Sequence, residues 1–121
     1  MSGVLAWVGV AVFGAAGAYA RFSLGAWVGA RGAFPMGTFV VNLTGAFALG
    51  LLTGLSVTGD ALLVLGTGLL GAYTTFSTWM VEAQRLAEES EFTAMTAYLV
   101  LSMVAGLAAA GLGWAIGGAL S

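Results

Sequence analysis

Histidine and cysteine are both absent from this chain of 121 residues, and only one proline is present. Without cysteine there is no disulfide framework and no thiol nucleophile, and without histidine there is no imidazole acid, base or metal ligand. Most catalytic arrangements are therefore excluded, and the sequence predicts a protein that is not an enzyme. The net charge of −2 gives no basic surface, so no nucleic-acid partner is expected.

Charge is equally scarce. The charged residues are Arg21, Arg31, Asp60, Glu82, Arg85, Glu88, Glu89 and Glu91. They separate four charge-free stretches, at residues 1–20, 32–59, 61–81 and 92–121. Each stretch reaches the roughly 20 residues that a helix needs to cross about 30 Å of hydrocarbon. With 60% hydrophobic residues, the chain is predicted to be an all-α membrane protein, one transmembrane domain over residues 1–121 lying in a lipid bilayer.

The predicted helices cover about 4–21, 35–56, 60–81 and 92–118. Pro35 suits the first turn of the second helix, where its missing N–H would have had no partner. In the third helix, Gly71 adds backbone freedom and the hydroxyl of Thr74 competes for backbone hydrogen bonds. We expect a break near residues 72–75 that turns carbonyl oxygens inward, which would suit a hard monovalent cation. The alternative is a kinked helix whose threonines bond back to the preceding turn.

Twenty glycines favour close approach of helices in a membrane. Pairs with four-residue spacing are Gly25 and Gly29, Gly50 and Gly54, and Gly113 and Gly117. We expect them to pack helices within or between subunits. Four helices of this size enclose little space, so an oligomer is expected.

Hydrogen-bond donors lie inside two of the apolar spans. Thr38 and Asn42 are four residues apart and share one helix face, and so do Tyr98 and Ser102. The carboxamide of Asn42 offers two N–H donors to a partly dehydrated anion. The alternative is a structural hydrogen bond to a neighbouring helix or to the residue's own backbone.

Aromatic rings on the third span add a further candidate. Phe76 and Trp79, three residues apart, could turn their electropositive ring edges towards an anion, or could simply pack. The span interiors thus hold neutral donors and hardly any fixed charge. Such donors permit an ion both to enter and to leave, as conduction requires.

Three segments together resemble the fluoride channel family, called Fluc or CrcB. They are residues 14–22, 34–45 and 71–82, and they occur in order along a chain with four spans. The resemblance implies an antiparallel, dual-topology homodimer with two fluoride pores and a central structural sodium ion. The implied function is passive export of fluoride across the bacterial plasma (inner) membrane, which relieves fluoride toxicity.

The resemblance also implies roles for individual residues. The backbone carbonyls of Gly71 and Thr74 would hold the sodium ion. Asn42 would be the principal donor to fluoride. The rest of the implied fluoride pathway is Thr38, Thr75, Phe76, Trp79, Tyr98 and Ser102. Arg21 and Glu82 would lie near the vestibules.

Two positions depart from the family pattern. Trp79 stands where the family usually has a second phenylalanine, and Ala72 where it commonly has a second glycine. An indole could narrow the pore or replace the phenyl ring edge. Some family members pair non-identical subunits, so a heterodimer stays open beside the homodimer.

Two other functions are weighed against the channel. A small four-helix, dual-topology transporter of cationic compounds would need a mid-membrane carboxylate in the first helix, and residues 1–20 contain none. A structural or assembly subunit would leave the row of donors unexplained.

Overall fold

Four apolar helical spans make up the fold. The computed structural model describes residues 3–74 and 76–121, and for Phe76 and Ser77 only the backbone. The spans are Gly3–Val28, Met36–Gly54, Gly59–Glu88 and Phe92–Leu120. By length and composition each can cross a membrane. The predicted all-α architecture with four spans is confirmed.

The first helix, α1, covers Gly3–Val28 and so continues past Arg21, where the sequence analysis ended it. Gly29 follows with a left-handed φ of 68°, and its N–H donates to the carbonyl of Gly25 over 2.9 Å. Gly29 therefore ends α1, as a glycine often ends a helix. Gly29 therefore does not pack helices within this subunit, one of the two arrangements expected from its spacing. Gly25 does pack, because a Cβ at Gly37 would overlap the Gly25 carbonyl.

The second helix, α2, covers Met36–Gly54 and follows a tight turn. Arg31 and Phe34 exchange two backbone hydrogen bonds of 2.9 and 3.0 Å across this turn. Pro35 precedes the first helical residue, and its carbonyl accepts the N–H of Phe39 over 3.2 Å. Proline thus starts α2 without losing a bond that the helix would have made.

The third span is broken, as predicted. It consists of α3 (Gly59–Leu62), a π-helical segment (Leu63–Leu70), α4 (Gly71–Tyr73) and α5 (Phe76–Glu88). Thr74 has extended backbone angles (φ −78°, ψ 153°), so the helix stops there. The Thr74 hydroxyl also bonds back, to the carbonyl of Leu70 over 3.0 Å. The continuous, merely kinked helix is excluded. The π-helical segment was not predicted.

The fourth span is α6 (Phe92–Leu120), which packs closely against α2. Gly50 and Gly54 of α2 lie against the backbone of Ala110 and Trp114, and a Cβ at either glycine would overlap that backbone. Gly113 and Gly117 of α6 lie in the same way against α2. These two glycine pairs therefore pack helices within one subunit, one of the two arrangements expected from their spacing.

A similar glycine contact joins α1 to the third span. Gly17 lies against the carbonyl of Leu69, and Gly68 lies against the backbone of Val10, with 3.0 Å from its ideal Cβ position to the Val10 Cα. These contacts fix the π-helical segment on α1. The break at Thr74 follows directly after this anchored stretch.

Candidate functional site

A groove of about 360 Å³ lies between α2 and the third span. Asn42, Gly71, Thr74 and Trp79 all line it. Much of the remaining lining is apolar or small, and includes Leu49. The structure thus brings together residues that the sequence analysis had assigned separately to an anion and to a cation.

The polar character of this groove comes from Asn42 and from the break. The carboxamide of Asn42 can present N–H donors, and the break at Thr74 interrupts the helical hydrogen-bond ladder. The last carbonyls of a helix have no partner one turn further along that helix. Asn42, the candidate anion donor, and Gly71 and Thr74, the candidate cation ligands, therefore line one groove.

Glu82 on α5 joins three helices. Its Oε1 accepts hydrogen bonds from the Thr38 hydroxyl on α2 and, over 3.3 Å, from the Tyr98 hydroxyl on α6. Glu82 was predicted to lie near a vestibule, and Thr38 and Tyr98 along the fluoride path. In the structure the carboxylate holds both donors. The sequence held one signal that Glu82 belongs to the site: it lies three residues after Trp79 and therefore on the same helix face.

Tyr98 is fixed by aromatic neighbours and is fully buried, with 0% of its surface exposed. Its ring meets Phe34 edge-on, with centroids 5.4 Å apart and planes at 87°. Trp79 lies on another side, with a centroid distance of 6.3 Å. Such ring pairs are each worth about 0.5–1.5 kcal/mol beyond burial. Trp79 also lines the groove of Asn42, so its ring lies between that groove and Tyr98.

Ser102 extends this site along α6. Its hydroxyl is buried and has no hydrogen-bond partner among the residues that the structure describes. A buried hydroxyl without a partner is costly in apolar surroundings. The Ser102 hydroxyl is therefore the buried donor whose partner the described residues do not supply. One turn further on, Gly106 has open space at its Cβ position.

A second groove, of about 260 Å³, lies on the other side of Thr38. Arg21, Thr38 and Thr78 contribute its polar side chains. A guanidinium beside two hydroxyls attracts anions. The sequence analysis gave Thr78 no role of its own.

Two predicted positions are not characterised by the geometry. Thr75 lies outside the described residues. Phe76 begins α5, and only its backbone is described. The roles inferred for their side chains stay predictions.

Carbonyl oxygens are the candidate cation ligands. Within residues 3–74 and 76–121, no group of three or more His, Cys, Asp or Glu side chains could hold a metal ion. The extended Thr74 removes its carbonyl from the helical pattern. Backbone oxygens of this kind suit a hard cation such as sodium.

Comparison with known proteins agrees with the motifs. The profile of a family described as "CrcB-like protein, Camphor Resistance (CrcB)" matches residues 8–114. "Fluoride-specific ion channel FluC 2" of Mycolicibacterium paratuberculosis is 50% identical over 115 residues, covering 93% of this chain and 94% of the relative. "Fluoride-specific ion channel FluC 1" of Symbiobacterium thermophilum is 46% identical, covering 93% and 98%. "Fluoride-specific ion channel FluC 2" of Bacillus cereus is 41% identical, covering 90% and 94%. The chain therefore belongs to the CrcB family.

Proposed function

We propose that this chain forms a fluoride-selective channel that exports fluoride passively and so relieves fluoride toxicity. The observation that carries the proposal is the groove that Asn42 and Trp79 line together, with the Trp79 ring lying 6.3 Å from that of Tyr98 between centroids. The names of the relatives supply the ion. The four apolar spans are those of a multi-pass membrane protein, and the bacterial sources of the relatives support the plasma (inner) membrane as its location.

Asn42 is the principal donor in this proposal. Fluoride is a small anion that accepts strong hydrogen bonds. When it passes from water into the protein, other donors must replace its hydration shell. The Asn42 carboxamide provides N–H groups, and the edge of the Trp79 ring is electropositive. Neutral donors bind an anion without the tight hold of a buried lysine or arginine, so the ion can leave.

Glu82 determines whether the Thr38 and Tyr98 hydroxyls can donate to fluoride. Thr38 and Tyr98 each have one hydroxyl proton, and both donate to the Glu82 carboxylate. A fluoride ion can receive these protons only if it takes the place of the carboxylate as acceptor. Like charges repel, so the approach of fluoride favours movement of Glu82 away from the two hydroxyls. Arg21, in the adjoining groove, attracts the anion towards this point.

A second subunit completes the proposed pore. The groove of Asn42 lies at the surface of one chain, and Gly71 on its wall is exposed. An ion crossing hydrocarbon needs a path closed on all sides. We propose that a second copy, inserted antiparallel, closes the groove and creates two equivalent pores. A homodimer is the simplest assembly, and a heterodimer with a related chain is the alternative.

A structural sodium ion fits the break in the third span. Thr74 is extended, and the oxygens that the break frees from the helical pattern belong to the backbone. The carbonyls of Gly71 and Thr74, from both subunits, would hold the ion. When bound, sodium would supply a fixed positive charge and would join the two broken spans.

Fluoride efflux from liposomes tests this function directly. The chain is purified alone, reconstituted into vesicles loaded with potassium fluoride, and release is followed with a fluoride electrode after a potassium ionophore is added. We expect rapid fluoride release and no comparable chloride release from matched vesicles. No release above protein-free vesicles, from a folded and reconstituted dimer, would contradict the homodimeric channel. Fluoride release by vesicles that contain only this chain would exclude an obligate heterodimer.

A further inference from the structure

A hydrogen bond between side chains ties the break in the third span to α2. The hydroxyl oxygens of Thr44 and Tyr73 lie 2.7 Å apart. Tyr73 is the last residue of α4 and directly precedes the extended Thr74. Thr44 lies two residues beyond Asn42, and therefore on nearly the opposite face of α2 at 3.6 residues per turn. This pair is thus separate from the donors that face the groove.

The direction of this hydrogen bond follows from counting protons. The Thr44 hydroxyl has a single proton, and its oxygen lies 2.8 Å from the carbonyl of Val40 and 3.1 Å from that of Val41. Thr44 therefore donates to its own helix and keeps a lone pair free to accept. The Tyr73 hydroxyl is the donor to Thr44. Both hydroxyls are consequently satisfied without water.

Gly45 completes the contact on the backbone side. It is buried, and a Cβ at this position would overlap the methyl group of Thr74 and approach the Tyr73 ring to 3.2 Å. Tyr73 and Thr74 therefore both lie against α2 at Thr44 and Gly45. The side-chain hydrogen bond acts on Tyr73, the last residue of α4, and the glycine contact acts on both Tyr73 and the extended Thr74.

We propose that Thr44 and Tyr73 are positioning residues: their hydrogen bond sets where the third span breaks and how Thr74 is presented to the groove. This inference rests on the proposed channel function for its effect on flux. In hydrocarbon no water replaces a lost partner, so the constraint disappears with either hydroxyl. Loss of the bond lets Thr74 move relative to Asn42, and fluoride flux falls.

The experiment compares Thr44→Val, Tyr73→Phe and the double variant with the full-length protein in liposomes. Fluoride efflux is one readout, and amide hydrogen exchange over residues 70–74 is the other. The exchange reports the bond from the Thr74 N–H to the Leu70 carbonyl, which is 2.9 Å long. We expect each single variant to lower flux and to speed exchange by about threefold to tenfold, the range for a hydrogen bond between membrane helices. The double variant should match the single ones.

Two further variants separate positioning from a general loss of stability. Thr44→Ser keeps the hydroxyl and should restore flux and exchange to within about twofold of the unaltered protein. Thr53→Val is the matched control, because Thr53 is also exposed on α2 and its hydroxyl donates only to its own helix among the described contacts, at Leu49 and Gly50. It should leave both readouts unchanged.

The outcomes are distinct. If Thr44→Val and Thr53→Val change flux and exchange equally, the hydrogen bond between Thr44 and Tyr73 is not the cause. The proposed hydrogen bond is also contradicted if the effects of Thr44→Val and Tyr73→Phe multiply in the double variant, because two residues that act through one bond should not. Faster exchange with unaltered flux in a conducting channel would overturn its positioning role. If the unaltered protein does not conduct fluoride, the proposed function fails, and the exchange measurements still decide whether the pair holds the break.

Discussion

The two ends of α2 meet their neighbours in opposite ways. At the carboxyl end, Gly50 and Gly54 bring the backbone of α2 against the backbone of α6. At the amino end, Thr38 donates to Glu82, and Asn42 faces a groove. Backbone contact leaves no space for an ion and no side-chain donor to meet it. One helix thus packs tightly against its neighbour at one end and supplies polar side chains at the other. We call the part of the bundle around Gly50 and Gly54 the sealed end, and the part around Thr38 and Asn42 the polar end.

The difference follows from side-chain size and from chemistry. Glycines lower the distance between α2 and α6 and gain dispersion contacts, which drive helix association in lipid. At the polar end, the Tyr98 ring packs edge-on against Phe34 and its hydroxyl donates to Glu82. Substitutions at the polar end that keep the buried Tyr98 ring should therefore alter function without unfolding the sealed end.

The largest expected effect is at the sealed end, where Gly113→Val should prevent correct folding. A Cβ at Gly113 would overlap the Phe47 carbonyl, and two further methyl groups cannot be accommodated without moving α6 away from α2. The overlap is with backbone atoms, which cannot move aside as a side chain can, so the cost should exceed the about 1–3 kcal/mol that is usual for overpacking. Yield of monodisperse protein and its thermal unfolding midpoint measure the effect.

Gly111→Val is the control for this change. Gly111 lies on the same helix two residues earlier, and nothing described lies within 4 Å of its Cβ position. It should fold normally. Equal losses in both variants would show that contact with α2 is not the cause.

The next effect is at the polar end, where Tyr98→Ala should destabilise the protein by about 3–5 kcal/mol, because it removes a fully buried ring. Tyr98→Phe keeps the edge-on contact with Phe34 and loses only the hydrogen bond to Glu82. Its cost should be about 0.6 kcal/mol, the usual value for such a bond between membrane helices. Unfolding in detergent, followed by circular dichroism, measures both. If Tyr98→Ala and Tyr98→Phe lowered the free energy of unfolding by similar amounts, the hydroxyl and not the ring would hold Tyr98 in place.

The smallest expected effect is at Trp79. If its ring edge serves the anion, Trp79→Phe retains that edge and should change fluoride flux by less than about twofold. Trp79→Leu removes the ring and should lower flux by about threefold to tenfold. Initial rates of efflux at matched protein densities give the comparison. A marked rise in flux with Trp79→Phe would instead indicate that the indole narrows the pore.

The fold was largely predictable because its signals are local. Eight charges and one proline divide the chain into spans, and Thr74 with its neighbours marks the break. The π-helical segment Leu63–Leu70 was not predictable, since its form depends on contacts such as that between Gly68 and Val10, far apart in sequence. Gly29 was not recognised as a helix end because its spacing from Gly25 also suits helix packing, while the left-handed φ is visible only in the structure.

The residues of the candidate site could be predicted from the sequence, but their hydrogen-bond partners could not. Asn42, Gly71, Thr74 and Trp79 were selected by their chemistry inside apolar spans, and they line one groove. The bond from Thr38 to Glu82 joins residues 44 positions apart, and no spacing rule connects them. The bond between Thr44 and Tyr73 was missed for the same reason.

Fluoride is proposed to pass along the groove at the amino end of α2, where Asn42 is its principal donor. Asn42→Ala should lower the initial rate of fluoride efflux by at least about tenfold, since a donor to a desolvated anion is worth about 1.5–3 kcal/mol. Size-exclusion profile and unfolding midpoint should stay those of the unaltered protein. Fluoride efflux from Asn42→Ala at the unaltered rate, from a correctly assembled protein, would contradict the account.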